Sequence, residues 1–133
     1  MDSSIFIYQL EADPKYVALS DVVFSWLGDP ASRAVTAAIT MTEILIPHYR
    51  NSDQRLVDDF YAIFSTYPNL EWVPIGLEVA DIAARVRAHY QLRTPDALHA
   101  AAALHAHATA LITNDAVFRR VPGFESVVLD DYI

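Results

Sequence analysis

The stretch that most constrains this chain is residues 93–115, RTPDALHAAAALHAHATALITND. It encodes a helix, a buried strand and a carboxylate at either end of that pair. Thr94 is a good N-cap, and Pro95 suits the first helical position, where no backbone N–H is needed. Asp96 then falls in the first turn, where the helix dipole favours an anion. The alanine-rich run 97–108 has side chains small enough for the helix to lie close against a sheet. Residues 108–113 are nearly continuously apolar, the pattern of a parallel strand buried on both faces. Asn114 and Asp115 close it. In an open α/β sheet, the C-terminal ends of strands share one edge with the N-terminal ends of the helices that follow. Asp96 and Asp115 are therefore expected on the same edge. Neighbouring carboxylates repel, and stay ionised cheaply only where a cation or hydrogen-bond donors compensate them. The plainer alternative is that Asp96 complements a helix dipole and Asp115 caps a turn.

The rest of the chain supplies more of the same alternation. Asp2 and two serines look like a cap for a short helix over 5–10, and Asp13-Pro14 starts a second helix to about Leu27. Val17, Leu19, Val22, Val23, Trp26 and Leu27 give that helix its apolar face. Residues 33–39 read as a strand that turns into a helix through about Tyr49, capped by Thr40 or Thr42, with Glu43 in its first turn. Ser52 caps another helix to about Tyr67, with Leu56, Phe60, Ile63 and Phe64 inward. Residues 71–75 read as a strand whose proline argues for an edge or an end. A helix over 76–90 follows, with Val79, Ile82, Ala83 and Val86 inward. A short turn or helix over 116–120 and a last strand over 126–130 complete the series. Alternating strands and helices predict an α/β fold with a parallel sheet in a single domain spanning residues 1–133.

Composition removes several function classes. The 133 residues contain no cysteine, which excludes a disulfide scaffold and thiolate metal ligands and is compatible with a reducing cytoplasm. No stretch approaches the roughly 18 apolar residues of a membrane span, and no signal peptide is visible, so a soluble cytoplasmic protein is expected. Net charge is −8 and Lys15 is the only lysine, so no long-range field draws this chain to nucleic acid. Any such contact must use local arginines and a metal.

Glu43, Glu78 and Asp115 lie at predicted strand-to-helix junctions, Asp96 opens a helix, and Asp2 precedes one. Several carboxylates on one edge suggest an oxygen-ligand site for Mg²⁺ or Mn²⁺. Such an ion activates water and stabilises charge on a phosphate. Glu78 is not separable from the set by topology alone.

Four segments carry a family resemblance: Asp2-Ser3-Ser4-Ile5-Phe6-Ile7-Tyr8, Thr42-Glu43-Ile44-Leu45, Thr94-Pro95-Asp96-Ala97-Leu98-His99, and Thr113-Asn114-Asp115 followed by Phe118-Arg119-Arg120 and Val121-Pro122-Gly123. In order and spacing they resemble a PIN-domain ribonuclease, specifically the toxin half of a VapBC-type toxin–antitoxin pair. The resemblance covers almost the whole chain. It implies a central parallel sheet with helices on both sides and Mg²⁺- or Mn²⁺-dependent hydrolysis of RNA phosphodiesters. It implies that Asp2, Glu43, Asp96 and Asp115 are the acidic catalytic and metal-site residues, that Ser4 and Thr113 support them, and that Glu78 is not among them. It further implies a homodimer, and an antitoxin partner with which a heterotetramer or larger assembly forms. Two departures stand out. The family's first strand runs into its first aspartate, whereas only Met1 precedes Asp2, so either the start codon is assigned late or Asp2 is poorly anchored. Val117 stands where many relatives carry a further acid, which weakens a second metal site more than the first.

Among other candidates, Arg119 and Arg120 follow Asp115 and could hold RNA phosphate, or could be a solvated charged turn. Arg33, Arg50 and Arg93 lie near predicted junctions. His99, three residues after Asp96, could approach the site as a shuttle or substrate contact, though a structural role is preferred. His105 and His107 lie too far along to reach it and are not a zinc motif. The apolar residues of the first helices and of 56–64 exceed what so small a sheet needs, which suggests a hydrophobic groove for an antitoxin helix. Two other functions compete. Receiver-like or dehalogenase-like phosphoryl chemistry needs a late lysine, which this chain lacks. A degenerate PIN module would bind a protein partner or RNA without cutting.

Overall fold

The computed structural model describes residues 1–133. Helices α1 (Ser3–Leu10) and α2 (Val17–Leu27) lead to strand β1 (Ala34–Ala37), followed by α3 (Ile39–Arg50) and α4 (Gln54–Ile63). Strand β2 (Leu70–Val73), α5 (Leu77–Tyr90), α6 (Thr94–His105) and β3 (Ala110–Thr113) come next. A 3₁₀ turn (Ala116–Arg120), β4 (Glu125–Val128) and a second 3₁₀ turn (Leu129–Tyr132) end the chain. All pairing is parallel: β1 lies beside β2 with Ala34 opposite Leu70, and β3 beside β4 with Ala110 opposite Glu125.

The expected central sheet is split into two parallel pairs. Between them lie only Met1 and Asp2. The Met1 amino group donates to the Val35 carbonyl at 3.0 Å, and the Asp2 N–H donates to the Ile112 carbonyl at 3.1 Å. Asp2 is thus tied to the second pair and Met1 to the first, and Asp2 is well anchored.

Helices cover both faces, and strand alternation sorts the side chains between them. Ala37, Val73 and Leu111 face α5 and α6, together with Val79, Ala83, Val86 and the alanines of α6. Ala34, Trp72 and Ile112 face the other way, toward Ile5, Phe6, Phe24, Ile44, Phe60 and Phe64 of α1–α4. Leu129 closes that second core.

Local chemistry shifts several predicted boundaries. Asp13 accepts the N–H groups of Lys15 and Tyr16 in a turn, so α2 starts only at Val17. Its buried stripe is Ser20, Phe24 and Leu27, and Val22 and Trp26 point to solvent. Ser20 is tolerated inside because its hydroxyl bonds Gln9 Oε1 at 2.6 Å and the Val17 carbonyl at 2.9 Å. Helix α3 starts at Ile39, so neither Thr40 nor Thr42 caps it and Glu43 lies in the second turn rather than the first. Thr40 is buried and shares a 2.8 Å hydroxyl bond with Thr36, which reaches the Met1 carbonyl. Asp53, not Ser52, caps α4, accepting the Leu56 N–H, while Ser52 takes a positive φ of 53°. Its buried stripe is Val57, Phe60 and Phe64, and Ile63 is exposed. Arg93 occupies the N-cap of α6, and the Thr94 hydroxyl instead accepts from Arg87. Asp96 remains in the first turn.

Candidate active site

The carboxylates are delivered by different elements. Asp2 caps α1, and its Oδ1 accepts the Ser4 N–H at 3.1 Å and the Ser4 hydroxyl at 2.6 Å. Its Oδ2 accepts the Thr113 hydroxyl. Asp2 is buried at 6% exposure, which three donors make tolerable. Thr113 ends β3, and its Oγ1 also accepts the Asp115 N–H at 3.0 Å. One threonine therefore links Asp2 to Asp115. Asp115 is exposed, and its Oδ1 accepts the Val117 N–H at 2.9 Å, capping the 3₁₀ turn.

Asp96 has a side chain only 13% exposed and meets Arg93 Nε at 3.3 Å. Burial pushes its carboxyl above the usual aspartate value. Arg93 opposes that push, and the charge of Asp115 adds to it. The charge of Asp115, just past β3, thus reaches Asp96 at the start of α6. Glu43 comes from α3 and bonds Nε2 of His99, the buried histidine one turn past Asp96. That bond holds Glu43 below the usual glutamate value against the effect of burial, with help from Ser3 and the positive charge of Arg93. His99 Nδ1 is buried without a partner.

The arrangement is a chain of pairs: Asp2 with Asp115 through Thr113, Asp115 with Asp96 through charge, and Glu43 with His99. No three histidine, aspartate or glutamate side chains are gathered where they could hold an ion. The donor chemistry suits a hard divalent cation, since every candidate ligand is a carboxylate. The electrostatics suit one as well, because the strain on Asp96 comes from desolvation and from a like charge. A Mg²⁺ ion that keeps several waters does not require a closed protein cage.

Other sequence candidates fall elsewhere. Glu78 lies at the start of α5 beside His105, 3.7 Å away at the C-terminal end of α6, the end opposite Asp96. Its predicted place on the shared edge is not realised. Arg33 enters β1 at the far edge, and Arg50 lies in the last turn of α3, away from Glu43. Arg119 pairs with Asp131, and Arg120 donates to the Gln91 carbonyl at 3.2 Å; both are exposed. Two features escaped the sequence reading. His99 is the direct partner of Glu43, which only the packing of α3 against α6 could bring about. Asn114 donates to the Tyr8 hydroxyl at 2.9 Å and accepts the Asp130 N–H at 2.9 Å, pinning α1 and the C-terminal turn to the edge. Its place inside Thr-Asn-Asp was the available signal.

With this geometry in view, the sequence matches the family model for the PIN domain over residues 1–124. The chain belongs to the PIN domain family. Its fold is the PIN fold, shared with solved structures of low sequence identity. A chain of the VapBC2 complex from Rickettsia felis, solved bound to a DNA fragment from its promoter, superposes with a TM-score of 0.69 at 18% identity, covering 93% of this chain and 92% of that one. A chain of a toxin–antitoxin complex from Klebsiella pneumoniae gives a TM-score of 0.64 at 22% identity, covering 92% of each. No curated protein matches the sequence. No helix of this PIN domain is long and apolar enough to cross a membrane.

Proposed function

We propose that this PIN domain, acting as one unit over residues 1–133, is an Mg²⁺- or Mn²⁺-dependent endoribonuclease and the toxin of a type II toxin–antitoxin pair in the cytoplasm. The observation that carries the reading is the Thr113 hydroxyl joining Asp2 to the Asp115 N–H at the end of β3, with Glu43 of the facing helix bonded to His99 one turn past Asp96. Asp2, Glu43, Asp96 and Asp115 would hold the ion and carry catalysis, with Ser4 and Thr113 fixing the orientation of Asp2. The bound ion would supply a water activated for attack on an RNA phosphodiester and charge stabilisation at the phosphate. Thr113 holds Asp2 and Asp115 in a fixed relation. His99 orients Glu43, and Arg93 limits repulsion on Asp96 while the site is free of metal. Arg119 and Arg120 can reach phosphate only by exchanging their present partners.

Exposed apolar residues on the early helices (Val22, Trp26, Ile46, Tyr49, Tyr61 and Ile63) offer a face for an antitoxin helix. The toxin–antitoxin complexes among the structural relatives agree with such a partner. A homodimer of the chain, and a heterotetramer or larger assembly with antitoxin, complete the proposal. An arginine from the antitoxin would suit the acidic edge, since its planar fork pairs with carboxylates bidentately.

The test is cleavage of labelled RNA by purified protein with Mg²⁺ or Mn²⁺, abolished by chelator and by Asp96→Asn. The paired arrangement of the carboxylates favours one alternative, a PIN module that binds RNA or a protein partner without cutting. RNA retention without cleavage at saturating Mn²⁺ would select it.

A further inference from the structure

A chain with a net charge of −8 has few cations with which to hold a polyanion. Most of those near the candidate carboxylates are committed. Lys15 pairs with Asp130 and lies over the Tyr16 ring, Arg119 pairs with Asp131, and Arg120 donates to the Gln91 carbonyl. Arg87 donates to the Thr94 hydroxyl at 2.9 Å, which ties the start of α6 to α5. Arg93 differs. Its Nε meets Asp96 Oδ2 at 3.3 Å, and its two terminal nitrogens donate no hydrogen bond within the protein. Its side chain is 79% exposed, against 13% for that of Asp96. Its positive charge acts on Glu43 as well as on Asp96. Arg93 is therefore a cation rooted at the N-cap of α6 and set against two of the four candidate ligands. An exposed pair made through one donor gains little and exchanges readily. A guanidinium whose fork is free suits phosphate, with which it pairs bidentately.

We propose that Arg93 is a phosphate-contact residue of the RNA site, and that its pair with Asp96 is the gate that controls it. This rests on the nuclease reading and adds to it a residue and a coupling. In the free site the guanidinium is held on the Asp96 carboxylate. Once Asp96 and Glu43 are engaged by a divalent cation, the attraction that keeps Arg93 in place is cancelled, because the ion and the guanidinium carry like charge. The side chain then turns outward to a phosphate oxygen. Arg93 exchanges one anion for another, so no charge is left without a counter-charge. The divalent cation and RNA should therefore strengthen each other's binding, and by linkage the coupling is the same in both directions. At the unloaded edge RNA meets uncompensated carboxylates and an arginine that is already paired, so an empty site discriminates against its own substrate.

The experiment has two arms. In the first, fluorescence anisotropy follows labelled RNA of random sequence in chelator at low salt. The proteins are the wild type, Asp96→Asn, Asp115→Asn, and Arg93→Gln alone and combined with Asp96→Asn. Asp96→Asn and Asp115→Asn each remove one negative charge, but only Asp96→Asn frees Arg93. Asp96→Asn is expected to bind RNA at least about fivefold tighter than Asp115→Asn, and Arg93→Gln added to it is expected to erase that gain. Equal binding by the two aspartate variants, a gain that survives Arg93→Gln, or no RNA retained by any of them would overturn the phosphate contact. In the second arm, calorimetry follows Mn²⁺ binding in the absence of RNA. Arg93→Gln is expected to bind Mn²⁺ about fivefold tighter than the wild type. Arg120→Gln removes a charge bonded to the nearby Gln91 carbonyl and should change Mn²⁺ affinity by less than about twofold. Equal affinities in the wild type and Arg93→Gln, or a similar gain in both arginine variants, would overturn the gate. Failure of the nuclease reading shows separately, as absent RNA cleavage by the wild type at saturating Mn²⁺, a measurement that neither arm uses.

Discussion

The two faces of the sheet solve the same packing problem with opposite materials. On one, α5 and α6 press alanine and valine against the strands, and Ala97 and Ala100 to Ala103 are buried with almost no side chain to rearrange. On the other, α1–α4 fill the core with rings. Phe6 meets Phe24 and Phe64 edge-on at 5.5 and 5.4 Å, and Trp72 lies 5.8 Å from both Phe6 and Phe60. The alanine side sets position through close backbone approach, and the aromatic side supplies buried area. The candidate carboxylates lie at their seam, with Asp96 from the alanine side, Glu43 and Asp2 from the aromatic side, and Asp115 from the turn after β3.

That comparison predicts different failures. The largest stability effect should come from Phe6→Ala, which opens a cavity beside three aromatic neighbours, Phe24, Phe64 and Trp72, and should cost about 3–5 kcal/mol in chemical denaturation. A loss under 1 kcal/mol would mean that the rings are not the mainstay of that side. At the seam, Asp96→Asn should lower RNA cleavage by about 100-fold or more, corresponding to roughly 3 kcal/mol of barrier. The fold should persist, as circular dichroism would show, because the substitution hardly changes volume. The alanine side should fail by crowding instead. Ala101→Leu should cost about 1–3 kcal/mol through overpacking, against near neutrality for an exposed alanine.

Smaller effects separate the two carboxylates at the seam by sign. Glu43 is held below its ordinary value, so its stabilising contribution is present above the unfolded glutamate value of 4.5 and is lost as pH falls through the lowered folded value. Asp96 is raised, so its ionisation opposes folding. That penalty is absent below the unfolded value of 3.8 and develops as pH rises through the raised one. Without metal, Glu43→Gln should therefore destabilise by about 1 kcal/mol at pH 7, with solvent screening keeping the figure small, while Asp96→Asn slightly stabilises. Both differences should fade toward pH 3 in parallel urea titrations. Identical signs at pH 7 would break the contrast. The smallest change should be Leu77→Ser, at 92% exposure, within about 0.5 kcal/mol.

The sequence by itself determined what depends on short range. The 93–115 stretch specified its helix, its strand and the end of each where a carboxylate stands. Periodicity and turn chemistry settle those matters within a few residues. It also marked the parallel α/β class and, through four spaced segments, the PIN family. Tertiary structure alone decided three things that depend on which elements become neighbours. Ser20 enters a buried stripe, with Val22 and Trp26 left outside, where Gln9 of another helix joins the Val17 carbonyl in bonding its hydroxyl. His99 became the partner of Glu43 only because α3 and α6 pack across 56 residues of sequence. The split of the sheet into two pairs is visible to no strand, since each reads locally as a complete strand. An unpaired edge is a property of what lies beside a strand, and no single strand's sequence records its neighbour.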